Sequence, residues 1–162
     1  MCEMIKVGMA DMKTCKSPDC LTTIGLGSCV GIVLYDTRTH ISGMVHVMLP
    51  DSTKIKHNEN RAKFADTGIN DLLQELLKMG ADRSKIVAKI AGGAQMFSFG
   101  DKVSELMQVG ERNVIATKEI LGKLRIEIIA EDTGLNYGRT IEFDSVTGML
   151  KIKAVGQVEK YI

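Results

Sequence analysis

Two runs of this chain are apolar at almost every position, and that pattern constrains the fold more than any other feature. Ser28 to Asp36 (SCVGIVLYD) and Ile41 to Leu49 (ISGMVHVML) are rich in β-branched and large apolar residues. The polar segment Thr37-Arg38-Thr39-His40 between them is short enough for a hairpin loop. With a side-chain period of two, Gly31, Val33, Tyr35, Met44 and Met48 fall on the face of Cys29, and Val30, Ile32, Leu34, Val45 and Val47 on the other. A sheet apolar on both faces is covered on both. Layers are therefore expected above and below this hairpin, with an opening left only near Cys29.

The same hairpin carries a cysteine and a histidine, and its register decides whether they meet. A turn centred on Thr37-Arg38 puts position 29 opposite position 46, whereas a three-residue loop at Arg38-Thr39-His40 changes the pairing. Registers whose paired numbers sum to 75 or 77 place Cys29 and His46 on one face, within about 5 to 8 Å between Cβ atoms. A sum of 76 separates them. Just before the cysteine, Gly25-Leu26-Gly27-Ser28 gives the backbone freedom to take positive φ and to aim amide groups at one point, as an oxyanion requires. Thiol and imidazole on one face are the minimum equipment of a cysteine nucleophile with its base. A buried structural cysteine beside a core histidine fits the spacing equally well.

The string Thr23-Ile24-Gly25-Leu26-Gly27-Ser28-Cys29, followed by Val45-His46-Val47-Met48-Leu49-Pro50, resembles the CheD family of chemotaxis proteins, the chemoreceptor glutamine deamidases. Further segments are similar in the same order: Phe64-Ala65-Asp66-Thr67, Ala88 to Ala94 with Met96-Phe97, Gly110-x-Arg112-Asn113, and Ala130-Glu131-Asp132-Thr133-Gly134. One departure is visible, Leu135 where the family usually has a second glycine, and it touches the path of the loop toward Gly138-Arg139. The resemblance implies a three-layered α/β/β sandwich and hydrolysis of receptor glutamine side-chain amides to glutamate with release of ammonia. It implies Cys29 as nucleophile, His46 as acid and base, Thr23 as the residue orienting the imidazole, and the turn at Gly27 and Ser28 as holder of the oxyanion. It also implies binding to CheC, a chemotaxis phosphatase. No cofactor and no metal enter. The rival within this resemblance is a non-enzymatic adaptor for CheC.

Composition bounds the alternatives. A chain of 162 residues is the size of one domain, and we expect one, over 1–162. Hydrophobic residues make up 44%, charged residues 25% and the formal net charge is +1, so no surface for coating nucleic acid is implied. Apolar runs are strand-sized, short of the ~20 residues that span a bilayer, and the amino terminus lacks a signal-peptide core, so a cytoplasmic location without membrane insertion is expected. Cysteines 2, 15, 20 and 29 form no Cys-x-x-Cys pair, and histidines 40, 46 and 57 complete no zinc pattern. A Cys15–Cys20 disulfide runs against a reducing cytoplasm, and Cys2, Cys15 and Cys20 are read as non-catalytic thiols. Gly25-Leu26-Gly27 resembles the start of a dinucleotide-binding turn, but Val30 replaces the third glycine and a β-branched run follows where a helix is needed. Gly92-Gly93 lacks the Gly-Lys-Ser/Thr of a phosphate loop and is assigned to tight packing against the hairpin.

Along the chain, Ile5 to Ala10 reads as a strand followed by a polar loop through Ser17-Pro18-Asp19, and Leu21 to Ile24 leads into the glycines. Pro50 to Arg61 is polar and aperiodic, a lid or an ordinary connector. Phe64, Gly68, Ile69, Leu72, Leu73, Leu76 and Leu77 make the stripe of an amphipathic helix that Gly80 ends as a left-handed cap. Ile86 to Ala91 is a strand. A second helix is predicted from Gly110 or Glu111 to Leu121, with Val114, Ile115, Lys118 and Leu121 buried and Gly122 closing it. Arg125 to Glu131, Arg139 to Asp144 and Met149 to Val155 complete an α+β set, the last two joined by a turn at Ser145-Val146-Thr147-Gly148.

Overall fold

A computed structural model describes residues 2–96 and 108–162. In chain order the strands are β1 (Met4–Lys6), β2 (Met12–Cys15), β3 (Cys20–Leu26), β4 (Val30–Asp36) and β5 (Ser42–Val47). Helix α1 (Ala65–Lys78), β6 (Ile86–Gly92) and helix α2 (Val109–Lys123) follow, then β7 (Glu127–Thr133), β8 (Arg139–Asp144), β9 (Leu150–Lys153) and β10 (Lys160–Tyr161). They form a middle sheet of order β2-β5-β4-β6-β7 and an outer sheet of order β1-β3-β8-β9-β10, mostly antiparallel. Only the pairs β1–β3 and β6–β7 run parallel among the described residues.

The two apolar faces of the hairpin do what their composition demands. Val30, Ile32, Leu34, Val45 and Val47 pack with Ile69, Leu72, Leu73 and Leu76 of α1 and Leu121 of α2 in one cluster. Val33, Tyr35 and Met44 pack with Leu21, Leu26, Ile141, Phe143, Leu150 and Ile152 of the outer sheet in the other. The result is helices, middle sheet and outer sheet, an α/β/β sandwich of the α+β class. The β4–β5 register pairs Val30 with Val47 and Gly31 with His46, a sum of 77. Asp36 fixes that register, because its Oδ1 accepts the Arg38 and Thr39 amides (2.8 and 3.0 Å) and its Oδ2 accepts the Asp82 amide (2.7 Å). His40 then closes the loop in the left-handed region, φ 63°. At the other end of the layer α1 stops as expected: Gly80 takes φ 101°, and Gly80 and Ala81 donate to Leu77 and Leu76 (3.1 and 3.0 Å).

Several expectations change. Ile5 to Ala10 is not one strand: β1 ends at Lys6, Ala10 turns with φ 55°, and the supposed polar loop contains β2, an edge strand antiparallel to β5. The buried stripe of α2 is Gly110, Asn113, Thr117 and Leu121, while Ile115 and Lys118 are exposed and Gly122 lies inside the helix. The stripe rotates because the Asn113 side chain reaches inward to two backbone carbonyls. The helix ends at Lys123 and Arg125 breaks away at φ 57°, which starts β7 two residues later than expected. Cys2 and Cys20 are joined in a disulfide, not free thiols: parallel pairing sets Met4 opposite Cys20, and the Cα atoms of Cys2 and Cys20 lie 5.9 Å apart. The stretch 50–61 forms a short 3-10 turn, Ser52–Lys54, whose Ser52 amide and hydroxyl donate to Asp66 (3.0 and 2.7 Å). Phe97, part of one of the motifs above, lies outside the described residues.

Candidate active site

Thr23 and His46 meet where the chain leaves the outer sheet for the middle one, and Cys29 lies on that crossing. β3 pairs regularly with β8 as far as Thr23 and Ile141, then shifts register before Leu26 meets Arg139. Gly25 takes φ 74° in that irregularity, and the Gly27 amide donates to the Gly25 carbonyl at 3.1 Å. Gly27, Ser28 and Cys29 make the crossing, and β4 begins at Val30.

Each carbonyl of the crossing is held. That of Gly27 accepts the Ala94 amide (2.8 Å), that of Ser28 accepts Nδ2 of Asn113 (2.9 Å), and that of Cys29 accepts the Gly93 amide (2.8 Å). Asn113 Nδ2 also donates to the Met48 carbonyl on the chain leaving β5 (3.0 Å), so one buried amide ties both arms of the hairpin at their open end. A Cβ on Gly92 would run into the Cys29 carbonyl, so the expected role of this glycine pair in close packing holds. Among the described residues no partner receives the Ser28 or Cys29 amide N–H, apart from the Cys29 thiol itself.

His46 is fully buried on β5, opposite Gly31, its side chain turned toward the outer sheet on the face of Cys29. Continued two pairs beyond Gly31–His46, this register sets position 29 against Met48, on the same face as His46 and diagonal to it. Thr23 approaches from the facing sheet: its Oγ1 lies 2.7 Å from His46 Nδ1 and donates to the Val7 carbonyl at 2.8 Å. The adjacent Thr22 points away and donates to the Ile141 carbonyl at 2.8 Å. His46 Nε2 has no hydrogen-bond partner among the described residues. Burial pushes the Cys29 thiol above its ordinary pKa, opposed in part by its own amide, and burial pulls His46 below its ordinary value. At neutral pH the pair therefore rests as thiol and neutral imidazole.

The other candidates fall elsewhere. His40 Nδ1 is 2.8 Å from the Ser145 carbonyl at the far end of the hairpin, and His57 is on the surface 3.9 Å from Glu59. Cys15 is buried with its thiol pushed up to about 11, by burial first and then by Asp19. Asn113 belongs to the site although apolar periodicity does not point to it; the one signal in the sequence is an amide at helical spacing from Thr117 and Leu121. The motif around Asp132 serves the frame: Arg139 binds Asp132 (3.0 Å) and the Gly134 carbonyl (3.0 Å), and Lys160 caps the other carboxylate oxygen (2.9 Å). Leu135 holds the left-handed conformation of the missing glycine, φ 60°, and its carbonyl accepts the Gln95 amide at 2.9 Å. A cleft of about 550 Å³ lined by Gly25, Tyr137, Gly138 and Val155 opens beside the crossing, but Cys29 is not part of its lining.

Residues 48–154 match the family model CheD, described as CheD chemotactic sensory transduction. The chain belongs to the CheD family. That match begins after His46, but full-length relatives cover the site. A protein of Lachnoclostridium phytofermentans named probable chemoreceptor glutamine deamidase CheD is 67% identical over 100% of both chains. Proteins named chemoreceptor glutamine deamidase CheD from Halalkalibacterium halodurans and Bacillus subtilis are each 51% identical, over 100% of both chains and over 98% of this chain and 96% of the relative. Among the described residues no helix is long and apolar enough to cross a membrane.

Proposed function

We propose that this chain is a chemoreceptor glutamine deamidase, a hydrolase in which Cys29 attacks the side-chain carboxamide of receptor glutamines. The observation that carries the reading is the approach of Thr23 to His46 at 2.7 Å from the facing sheet, on the side of the hairpin that bears Cys29. The names of the full-length relatives give the substrate. His46 takes the thiol proton as sulfur bonds to the amide carbon, and the negative oxygen is held by the amides of Ser28 and Cys29. Gly27 shapes the turn, its own amide being engaged with Gly25. His46 then delivers the proton to the departing nitrogen and ammonia leaves. Water, deprotonated by His46, attacks the thioester; the sulfur–carbon bond breaks, glutamate is released and the thiol recovers its proton. Thr23 holds the imidazole throughout, the part a carboxylate or carboxamide plays in other cysteine hydrolases. Ile24 and Leu135, 68% and 62% exposed, and Met96 against Gly27 give the surroundings an apolar surface suited to a protein substrate.

Water is the only co-substrate this chemistry needs, and the site works without cofactor or metal. We infer from the family that CheC is a second partner, docking over the opening near Cys29 in competition with the receptor. The test of the activity is incubation with receptor cytoplasmic fragments and mass spectrometry for glutamine-to-glutamate conversion. Cys29→Ala should abolish conversion without loss of fold. Undiminished conversion by that variant overturns the assignment, and a ternary complex with receptor and CheC at unchanged affinities overturns the competition.

A further inference from the structure

We propose that the main-chain carbonyl of Val7 sets the tautomer of His46, which makes the amino-terminal strand a positioning element of the active site. The inference rests on the reading of His46 as the base. A threonine hydroxyl has one proton to give and lone pairs to receive. Thr23 Oγ1 has two partners, the Val7 carbonyl at 2.8 Å and His46 Nδ1 at 2.7 Å. A carbonyl only accepts, so the hydroxyl proton goes to Val7. Oγ1 then meets Nδ1 as an acceptor, Nδ1 carries the hydrogen, and Nε2 is left with the lone pair that a base must offer.

The opposite tautomer would require the hydroxyl to turn from Val7 and donate to Nδ1. That leaves the carbonyl of the buried Val7 without this donor, and Nε2 carries a hydrogen where the thiol proton should arrive. The penalty of an orphaned buried acceptor corresponds to a preference on the order of ten- to a hundredfold for the Nδ1–H form.

What presents Val7 is therefore part of the machinery. β1 is an edge strand of the outer sheet, paired from Met4–Cys20 to Lys6–Thr22, and Val7 continues it by donating to the Thr22 carbonyl at 2.8 Å. The Cys20 amide donates to Glu3 at 2.8 Å, and the Cys2–Cys20 disulfide fastens the strand's start. The Val7 side chain is buried among the residues between the sheets, which fixes where its carbonyl points. None of these residues touches Cys29's substrate side in this scheme; they act through Thr23 and His46.

The test replaces one carbonyl and nothing else of size. A synthetic segment 1–14 in which glycolic acid replaces Gly8 turns the Val7–Gly8 amide into an ester, whose carbonyl is the weaker acceptor. It is ligated at the native Cys15 to a ¹⁵N-labelled recombinant segment 15–162, which contains His40, His46 and His57. The ester also removes the Gly8 amide that donates to Asp11 at 3.3 Å, so Asp11→Ala in the all-amide chain serves as the control. The ring ¹⁵N shifts of His46 are read directly. The all-amide protein and the control should show protonated Nδ1 and bare Nε2, and the ester should shift a measurable fraction to the opposite form and lower kcat about tenfold with little change in KM. Protonated Nε2 in the all-amide protein overturns the inference, as does an ester protein of native circular dichroism whose tautomer and kcat are unchanged. Because the nitrogen shifts need no substrate, a correct tautomer without deamidation would refute the deamidase reading alone.

Discussion

Replacing Asn113 should damage both the fold and the site, and an isosteric replacement should be worse than truncation. Its amide oxygen and nitrogen are assigned by their neighbours: both contacts, at 2.9 and 3.0 Å, are backbone carbonyls, so the nitrogen must face them. Asn113→Ala deletes two hydrogen bonds, each contributing about 1 kcal/mol net, and leaves two carbonyls of the hairpin's open end unpaired in a site where Asn113 itself is fully buried. The expected loss of stability is about 2 to 4 kcal/mol. Asn113→Asp keeps the shape but turns an acceptor toward two acceptors and buries a charge. A few kcal/mol more are expected, enough to threaten a domain whose total stability is about 5 to 15 kcal/mol.

The aspartate variant also has a pH signature. With its carboxyl forced to be neutral in the folded state, its folded pKa is raised above the unfolded value of about 3.9, so the folded state binds more protons and stability falls as pH rises. Urea unfolding at about pH 5 and about pH 8 should show the deficit relative to the parent growing with pH for Asp and not for Ala. In the alanine variant that remains folded, displacement of Ser28 and Cys29 by about 1 Å should lower kcat on the order of a hundredfold. An Asn113→Asp protein as stable as the parent at both pH values would refute the reasoning, since a carboxylate has no hydrogen to donate and a neutral carboxyl has one for two carbonyls.

His46→Asn should lower deamidation by ~10² to 10⁴-fold, while His40→Ala, which loses the 2.8 Å contact to Ser145 and the edge contact with Tyr35 at a left-handed position, should cost on the order of 1 to 2 kcal/mol of stability and leave kcat within a factor of about two. The rate of Cys29 alkylation by iodoacetamide should keep rising with pH beyond the ordinary thiol value of about 8.5, because burial raises the thiol; a reactive plateau between about pH 5 and 7 would mean a thiolate–imidazolium pair instead. His46 is buried neutral with a lowered pKa, so the unfolded chain binds its proton first and stability should be lost as pH falls from about 6.5 toward the folded value. Urea midpoints across that window should flatten in His46→Asn, and an equally steep slope there would assign the effect to another group.

The hairpin was legible because its apolar residues occupy both faces, and only two covering layers satisfy that pattern. Its register was open to a choice among sums, and the side chain of Asp36 made the choice by taking two turn amides, a detail outside any hydrophobic periodicity. Thr22 and Thr23 show the limit plainly. Alternation puts them on opposite faces of β3, but which face looks at His46 depends on how two sheets stack, and nothing in β3 alone carries that. The resemblance selected Thr23, and the stacking brings it to the imidazole. α2 was misjudged for a related reason: Asn113 and Thr117 are polar yet face inward, so a stripe drawn through apolar residues alone lands one position aside. β2 and β10 are short edge strands whose pairing gives them order, and the Cys2–Cys20 disulfide follows from a parallel contact across 18 residues of sequence.

A chain that changes sheets must account for backbone groups that no ladder pairs. Here the carbonyl side of Gly27, Ser28 and Cys29 is answered in full by Ala94, Asn113 and Gly93, which come from the end of β6 and from α2. Such close approach leaves no room for side chains: a Cβ on Gly92 meets the Cys29 carbonyl, and one on Gly110 meets the carbonyls of Gly93 and Ala94. Gly92 and Gly93 and the glycine in the first turn of α2 thus perform one task, holding the crossing from a single side. Fixing every carbonyl fixes the peptide planes, and the planes in turn fix where the amides of Ser28 and Cys29 point. Across each trans peptide the amide points opposite its carbonyl, so the Ser28 and Cys29 amides are turned away from the groups that hold the Gly27 and Ser28 carbonyls, and that of Cys29 meets its own thiol. Preorganisation of that kind matters for an oxyanion because donors already aimed need not reorient as charge develops. In the proposed mechanism the distant glycine motifs thus act without touching a substrate, through the rigidity they impose on three residues.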